Sequence, residues 1–317
     1  MEMKKVTSSG VVGRPKSIWY RVRQNAAYLL LSLPALICFF IWNYMPMFGL
    51  LIAFKDYKYS DGIFGSRWIG FDNFKFFFLT NDAWRITRNT VGYGLLFLAL
   101  GVVCAVIVAL LLYEIRSRMA IKTYQTIMML PNFLSWVIVG FITYVILNPV
   151  YGVLNQFLGI FGVERIDWYS DPKYWPVILT ITHIWKSVGM NAIMYYASLL
   201  GVDQEMYEAA TLDGANGLQK CWYISVPSLI PLITTLSILG IGNILRGDFG
   251  LFYQIPRDVG ALYPTTDIID TYLYRGIRTG DLGVTSAVGF FQSVVGLILV
   301  VITNKVVAKV QPGNELF

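Results

Sequence analysis

The sequence predicts an all-α integral membrane protein with six transmembrane helices, and three observations carry that prediction. The first is composition: 56% of the 317 residues are hydrophobic and 14% are charged, against about 45–50% and 25% in a soluble domain. The second is distribution. The apolar excess falls in nearly charge-free blocks of about 20 residues, long enough to cross a ~30 Å hydrocarbon core. The third is that Lys and Arg gather at one set of block ends, as the positive-inside bias of membrane proteins requires.

In chain order the predicted spans are 27–49, 90–113, 126–147, 176–200, 226–245 and 285–305. Pro34 and Pro46 interrupt the first, which a membrane helix tolerates when neighbouring groups re-satisfy the freed backbone. Its apolar core is longer than the about 7–15 residues of a signal-peptide core, so it reads as a retained helix. Residues 1–25 read as a cytoplasmic tail ending in an interfacial helix around 18–22. Residues 26–89 hold the first transmembrane helix and an external interfacial segment. The transmembrane core is 90–310, with a cytoplasmic loop at 203–222, and 311–317 form a second cytoplasmic tail.

Orientation follows from the basic residues. Lys4, Lys5, Arg14, Lys16, Arg21 and Arg23 precede the first span, Arg116, Arg118 and Lys122 join the second to the third, and Lys305 and Lys309 close the last. Both termini are therefore placed in the cytoplasm. The basic residues of 55–88 pull the other way, and the N-terminal cluster with the short turn at 114–122 outweighs them.

The connections have their own signals. Phe71, Phe74, Phe77, Phe78 and Trp84 recur near helical spacing and predict an amphipathic helix at the interface. Asp171-Pro172 marks a turn in the outer loop 148–175. In 246–282, residues 267–278 predict a short helix or a re-entrant element. Gly92, Gly94, Gly101, Gly289 and Gly296 are expected to permit close helix packing.

Several function classes lack their residues. Cys38, Cys104 and Cys221 are scattered, without a disulfide framework or CxxC pair. One histidine, His183, cannot build a metal site by itself. The chain has no GxxxxGK[ST] loop, HExxH or other catalytic grouping in its spans, so neither nucleotide binding nor catalysis is expected. The net charge of +6 fits cytoplasmic anchoring, and no basic stripe with interleaved aromatics points to nucleic acid. A secondary transporter commonly shows paired broken helices or an inverted repeat, and neither is visible.

The polar stretch between the fourth and fifth spans carries the most information. Residues 202–212 predict a short helix. Asp213-Gly214 is a turn signal, with Asp213 able to cap a following helix and Gly214 able to take a positive φ. Glu208-Ala209-Ala210, Asp213-Gly214-Ala215, Ile224 and Pro227 together read E-A-A-x(2)-D-G-A-x(8)-I-x(2)-P. This resembles the cytoplasmic coupling loop of binding-protein-dependent ABC import permeases.

Residues 40–310 resemble the carbohydrate-importing, maltose-type branch of that family, and in particular the subfamily for polysaccharide-derived oligosaccharides such as alginate and rhamnogalacturonan fragments. The matching stretches are 43–49, 53–57, 70–74, Asn89-Thr90, Leu130-Pro131 and 267–275. The resemblance implies the type I ABC importer permease fold. The implied partners are a second homologous permease, two ATP-binding cassette subunits that hold ATP and Mg, and an extracellular or periplasmic solute-binding protein. This chain would hold no cofactor itself. Glu208, Ala209, Ala210, Asp213, Gly214, Ala215, Ile224 and Pro227 would couple it to the ATPases.

His183, Lys186, Ser187 and Met190 share one helical face in the fourth span. Counted back from Glu208, the resemblance places that face on the sugar path. Counted forward from Pro227, it places Gly240, Asn243, Arg246 and Gly247 there too. Asn132, Trp136 and Asn191 are further pore candidates. A Lys, an Arg and a protonatable His differ from a neutral-sugar site and suit carboxylate-bearing sugars, through charge-assisted hydrogen bonds. The expected function is import of oligosaccharides, with uronate-containing polysaccharide fragments as the substrate class. The alternative is a permease for neutral oligosaccharides or another solute.

Overall fold

The computed structural model describes residue 20 and residues 23–310. The expected interfacial helix around 18–22 and the C-terminal tail lie outside the described residues, apart from Tyr20. The chain forms two compact units, residues 1–51 and 52–317.

The first span is one continuous helical run over 26–54 that changes pitch. Helix α1 (Ala26–Phe39) carries Pro34 inside it, a π-helical turn follows at Phe40–Tyr44, and Met45–Phe54 is 3-10. Proline in a membrane helix is accommodated by such local changes of winding.

The segment after it is more elaborate than one amphipathic helix. A two-stranded antiparallel ribbon, β1 (Lys55–Asp56) with β2 (Arg67–Trp68), encloses the single turn α2 (Gly62–Gly65), and α3 (Asp72–Phe78) follows. Lys55 is buried because its ammonium donates to the Ile63 and Phe64 carbonyls at 2.8 and 3.0 Å. The Asn73 amide ties α3 to the Ala53 and Lys55 carbonyls. Phe54 stacks on Trp68 and edges onto Phe71. Trp84, expected on the same helix as Phe71, lies on the next one.

The second span, α4 (Asn81–Tyr113), begins earlier than expected and has 33 residues. At 1.5 Å per residue it is about 50 Å long, well beyond a ~30 Å core. Its first turns therefore stand outside the bilayer, where Arg85 pairs with Asp82 and Asp267. The third span is broken: α5 (Arg118–Phe133) and α6 (Trp136–Leu147) meet at 96°. Ser135 caps α6 by accepting from the Ile138 N–H.

Helix α7 (Val153–Ile160) lies in the connection to the fourth span, and Asp171 caps a 3-10 turn at Pro172–Tyr174. The fourth span is α8 (Trp175–Leu199), and α9 (Gln204–Leu212) lies in the polar loop. The fifth span starts at Gly217, not 226. Helix α10 (Gly217–Lys220) runs through a π turn (Cys221–Ser225) into α11 (Val226–Gly242). Three short helices follow, α12 (Phe249–Gln254), α13 (Tyr263–Thr266) and α14 (Ile269–Thr279), and then the last span α15 (Leu282–Val310).

Small residues bring α4 and α8 together: Ala105, Ala109 and Ala192 are fully buried beside Leu199 and Leu229. Lipid tails are as apolar as the helices, so association depends on close approach of this kind. A Cβ at Gly94 would meet the Ile244 carbonyl at 2.7 Å, so this glycine does permit close packing. At Gly92 and Gly101 nothing lies within 4 Å, so they do not have the packing role expected of them. The end of the bundle away from α9 is locked by Asp267, whose fully buried carboxylate binds Arg85 at 3.0 Å and Arg275 at 2.5 Å. Asn89 donates to the Asp267 carbonyl.

Candidate functional site

Two sites emerge, one at each level of the helix bundle. The first is the polar loop. Asp203 caps α9 by accepting from the Glu205 N–H at 3.0 Å. Asp213 ends that helix, and Gly214 takes φ +82°, which lets the Ala215 N–H return to the Ala210 carbonyl at 2.9 Å. Asp213 does not cap the next helix, contrary to expectation. Asn216 does, in a reciprocal capping box with Gln219. The chain needs Ala215 and Asn216 to turn after Gly214, so the cap falls three residues later.

Helix α9 is bound on one side and bare on the other. Gln204 donates to the Tyr113 hydroxyl at 2.8 Å, and the Tyr207 ring packs 5.7 Å from that of Tyr113. Tyr207 and Ser225 hydroxyls share a 2.9 Å hydrogen bond. The loop helix is thereby fastened to the end of α4 and the start of α11. Ile224 is buried, and Pro227 follows closely on the π turn at Cys221–Ser225, a local change of winding of the kind that accommodates a proline within a membrane helix. Glu208, Ala209, Asp213 and Gly214 are exposed, and Ala210 and Ala215 are half-buried. Leu212, which the sequence reading passed over, is 90% exposed.

The second site is a cavity of about 260 Å³ between α4, α8 and the end of α11. His183, Gly240, Asn243, Arg246 and Gly247 all line it, so the structure brings together five of the residues picked from two distant stretches. Phe97, Tyr93 and Asp248 line it as well and were not picked. His183 stacks on Phe97 with ring centroids 4.0 Å apart, and its Nδ1 is buried without a hydrogen-bond partner. Arg246 is exposed and makes no salt bridge among the described residues. Gly240 and Gly247 are needed for space: a Cβ would strike Leu98 at the first and Ile268 at the second.

Two acids stand beside this cavity. Burial pushes the Asp248 carboxyl up, and hydrogen bonds from the Leu251 N–H, Trp136 and the Gly250 N–H pull it partly back. Burial raises the Asp270 carboxyl too, against hydrogen bonds from the Gly247 N–H at 2.7 Å and Gln292 at 3.3 Å and the nearby charge of Arg246.

Lys186, Ser187 and Met190 do not line the cavity. The Lys186 ammonium donates to the carbonyls of Pro131, Asn132 and Leu134 at 3.2, 2.8 and 2.7 Å and lies over the Trp136 ring. These carbonyls stand at the break between α5 and α6, where the Pro131 carbonyl also accepts from the Leu134 N–H at 3.2 Å. Helical spacing placed Lys186 on the right face, but the broken neighbour captures it. Ser187 donates back to the His183 carbonyl at 2.8 Å, and Met190 is half-exposed away from the cavity. Asn191 lines a different cavity, with Tyr195 and Leu236.

Residues 99–312 match the family described as binding-protein-dependent transport system inner membrane component. The chain is 39% identical over 288 residues to protein LplB of Bacillus subtilis, covering 90% of each. It is 35% identical over 289 residues to the polygalacturonan/rhamnogalacturonan transport system permease protein YteP of the same organism, covering 91% of this chain and 89% of the relative. A solved bacterial ABC transporter for import of the acidic polysaccharide alginate contains a chain that superposes with a TM-score of 0.86 at 31% identity, covering 93% of this chain and all of that one. A second structure of an alginate ABC transporter, in complex with a periplasmic protein bound to an alginate pentasaccharide, matches with a TM-score of 0.84.

Proposed function

The chain belongs to the binding-protein-dependent transport system inner membrane components and is the multi-pass permease subunit of a sugar ABC importer, not itself an enzyme; from that premise we propose that its solutes are uronate-containing oligosaccharides and that Arg246 reads their carboxylates. The observation that carries this is Arg246 at the cavity with no salt bridge, beside the unpartnered Nδ1 of His183 and the amide of Asn243. A guanidinium presents a planar fork that matches a carboxylate. Phe97 and Tyr93 offer apolar ring surface for the sugar body. The names of YteP and the alginate importers support the same substrate class.

The cavity of about 260 Å³ is smaller than the about 300–1,000 Å³ of complete ligand sites. That size fits a site whose remaining wall comes from a second permease subunit. Two ATPase subunits, holding ATP and Mg, would sit against α9, with Glu208 and Leu212 at the contact, on the cytoplasmic side together with both termini. Closure of the ATPases would move α9. Tyr113 and Ser225 would pass that movement into α4 and α11, the helices that flank the cavity. The end of α4 lies 16 residues from Phe97, about 24 Å along the helix. A solute-binding protein would deliver the sugar at the opposite end. Coupling of this kind requires contacts that differ between two global states.

The test is ATP hydrolysis in proteoliposomes holding the whole transporter and its binding protein, with a panel of acidic and neutral oligosaccharides. Stimulation by the acidic members alone supports the proposal. Stimulation by neutral members alone would retain the permease and remove the uronate assignment.

A further inference from the structure

A second cavity, of about 230 Å³, lies between α6, the end of α12 and the loop that follows it. Phe141, Tyr144, Tyr253, Gln254 and Arg257 line it. Tyr144 is near the end of α6 and meets Tyr169 of the outer loop at 5.7 Å, so this cavity opens at the end away from α9. Solute enters an importer from that end.

The backbone here is unusual. Arg257 and Asp258 are consecutive non-glycine residues with φ of +59° and +51°, and no other described non-glycine residue has a positive φ. Side chains disfavour that region, and strained residues persist only where surrounding contacts enforce them, commonly at ligand sites. The contacts are identifiable. The Asp258 carboxylate accepts from the Tyr263 hydroxyl at 3.0 Å and from Arg275 at 3.2 Å, and the Tyr169 hydroxyl donates to the Ile255 carbonyl at 3.2 Å. Together they fix both ends of the loop.

The strain sets one side chain in place. The Arg257 guanidinium lies 4.1 Å from the Tyr144 ring centroid. Arg85 and Arg275 at the same end are paired with carboxylates, whereas Arg257 is exposed and makes no salt bridge among the described residues. The Gln254 amide stands beside it, and a Cβ at Gly140 would meet the Gln254 carbonyl at 2.8 Å, so the two elements touch at backbone level.

We infer that Arg257, Gln254 and Tyr144 form an outer subsite for a carboxylate-bearing sugar unit of the same oligosaccharide. The inference rests on the acidic-substrate reading above. A guanidinium held flat on an aromatic ring keeps its outward N–H groups free for a carboxylate, and ring faces suit the apolar face of a sugar. Phe252 lines the first cavity and Tyr253 and Gln254 line the second, so α12 stands between the two, a body about 10–12 Å across with its side chains. One sugar unit does not span that distance, so the subsite serves longer chains and selects by length as well as charge.

The experiment is uptake by the reconstituted transporter with its binding protein, using oligouronates from the disaccharide to the pentasaccharide and their carboxyl-reduced counterparts. Wild type is compared with Arg257→Gln and Tyr144→Leu. The expected result is a KM raised about tenfold for the acidic pentasaccharide in Arg257→Gln, the loss of one charge-assisted contact. The acidic disaccharide, the reduced sugars and kcat stay unchanged. An equal effect at every length, or none, overturns the subsite. Weaker binding of the sugar-free binding protein to Arg257→Gln, with no dependence on sugar length, would assign Arg257 to protein docking and also overturns it. Wild type without any acidic preference would instead defeat the substrate reading. Preserved acidic preference with an inert Arg257→Gln defeats the subsite alone.

Discussion

The Lys186 ammonium lies 2.7 Å from the carbonyl oxygen of Leu134, at the point where the third span turns through 96°. A helix end inside a membrane must find partners for its last carbonyls, and at this break the Lys186 ammonium donates to three carbonyls while the Leu134 N–H donates to that of Pro131. The charge is thereby spent on the fold. Lys186→Met should lower the stability of the detergent-solubilised subunit by about 1.5–3 kcal/mol, because part-buried carbonyls lose a charged donor. Thermal unfolding monitored in detergent checks this. Any transport that survives should retain wild-type discrimination between acidic and neutral sugars.

Arg246→Gln should act in the opposite sense. Arg246 is exposed at the cavity, so its replacement should change the unfolding temperature little, by no more than its charge contributes to the neighbouring Asp270 carboxylate. Loss of a charge-assisted contact of about 1.5–3 kcal/mol should weaken uptake of acidic oligosaccharides roughly ten- to hundredfold. Neutral analogues should be unaffected in the same uptake assay.

Glu208→Lys and Leu212→Ala should uncouple ATP hydrolysis without unfolding the subunit, because both side chains are exposed on α9. A contact residue of this kind carries on the order of 2 kcal/mol, about thirtyfold in association. Co-purification of the ATPase with each variant reads the effect directly.

Gly189→Ala should destabilise the bundle. A Cβ there would run into the Met128 carbonyl, and backbone cannot swing aside as a side chain can. Forced separation of α5 from α8 should cost about 1–3 kcal/mol, seen as a lower unfolding temperature.

Stability should also depend on pH through Asp270. Burial raises its carboxyl above the ordinary 3.8. The folded state therefore holds the proton more tightly than the unfolded state, and the stabilising contribution is fully present below pH 3.8 and lost as pH rises through the folded value. Asp248 adds a contribution of the same sign. Asp270→Asn should flatten the fall of unfolding temperature with pH over that window, measured by thermal unfolding across a pH series.

Much of the fold was legible because membrane spans are written in composition. All the predicted spans correspond to helices or, at 118–147, to a broken pair. The break was not legible. Pro131 was visible, but proline alone does not set a 96° bend, and the lysine that satisfies the bend lies on another span. The long first turns of α4 were missed because Arg85 reads as a loop charge until Asp267 is seen beside it. At the cavity, positional counting found His183 and Arg246, since helical spacing is regular. Asp248 and Phe97 were missed because they reach the cavity from a loop and from a span that carried no polar signal. Leu212 was missed because an exposed leucine looks like any other in sequence.

The most direct measurement compares uptake of one oligouronate with its carboxyl-reduced form, identical in length and linkage, in proteoliposomes containing the complete transporter. The account predicts preference for the acid, by about tenfold or more for one lost charge-assisted contact, and collapse of that preference in Arg246→Gln. Equal uptake of the two forms by wild type, or an acid preference that survives Arg246→Gln intact, would contradict it.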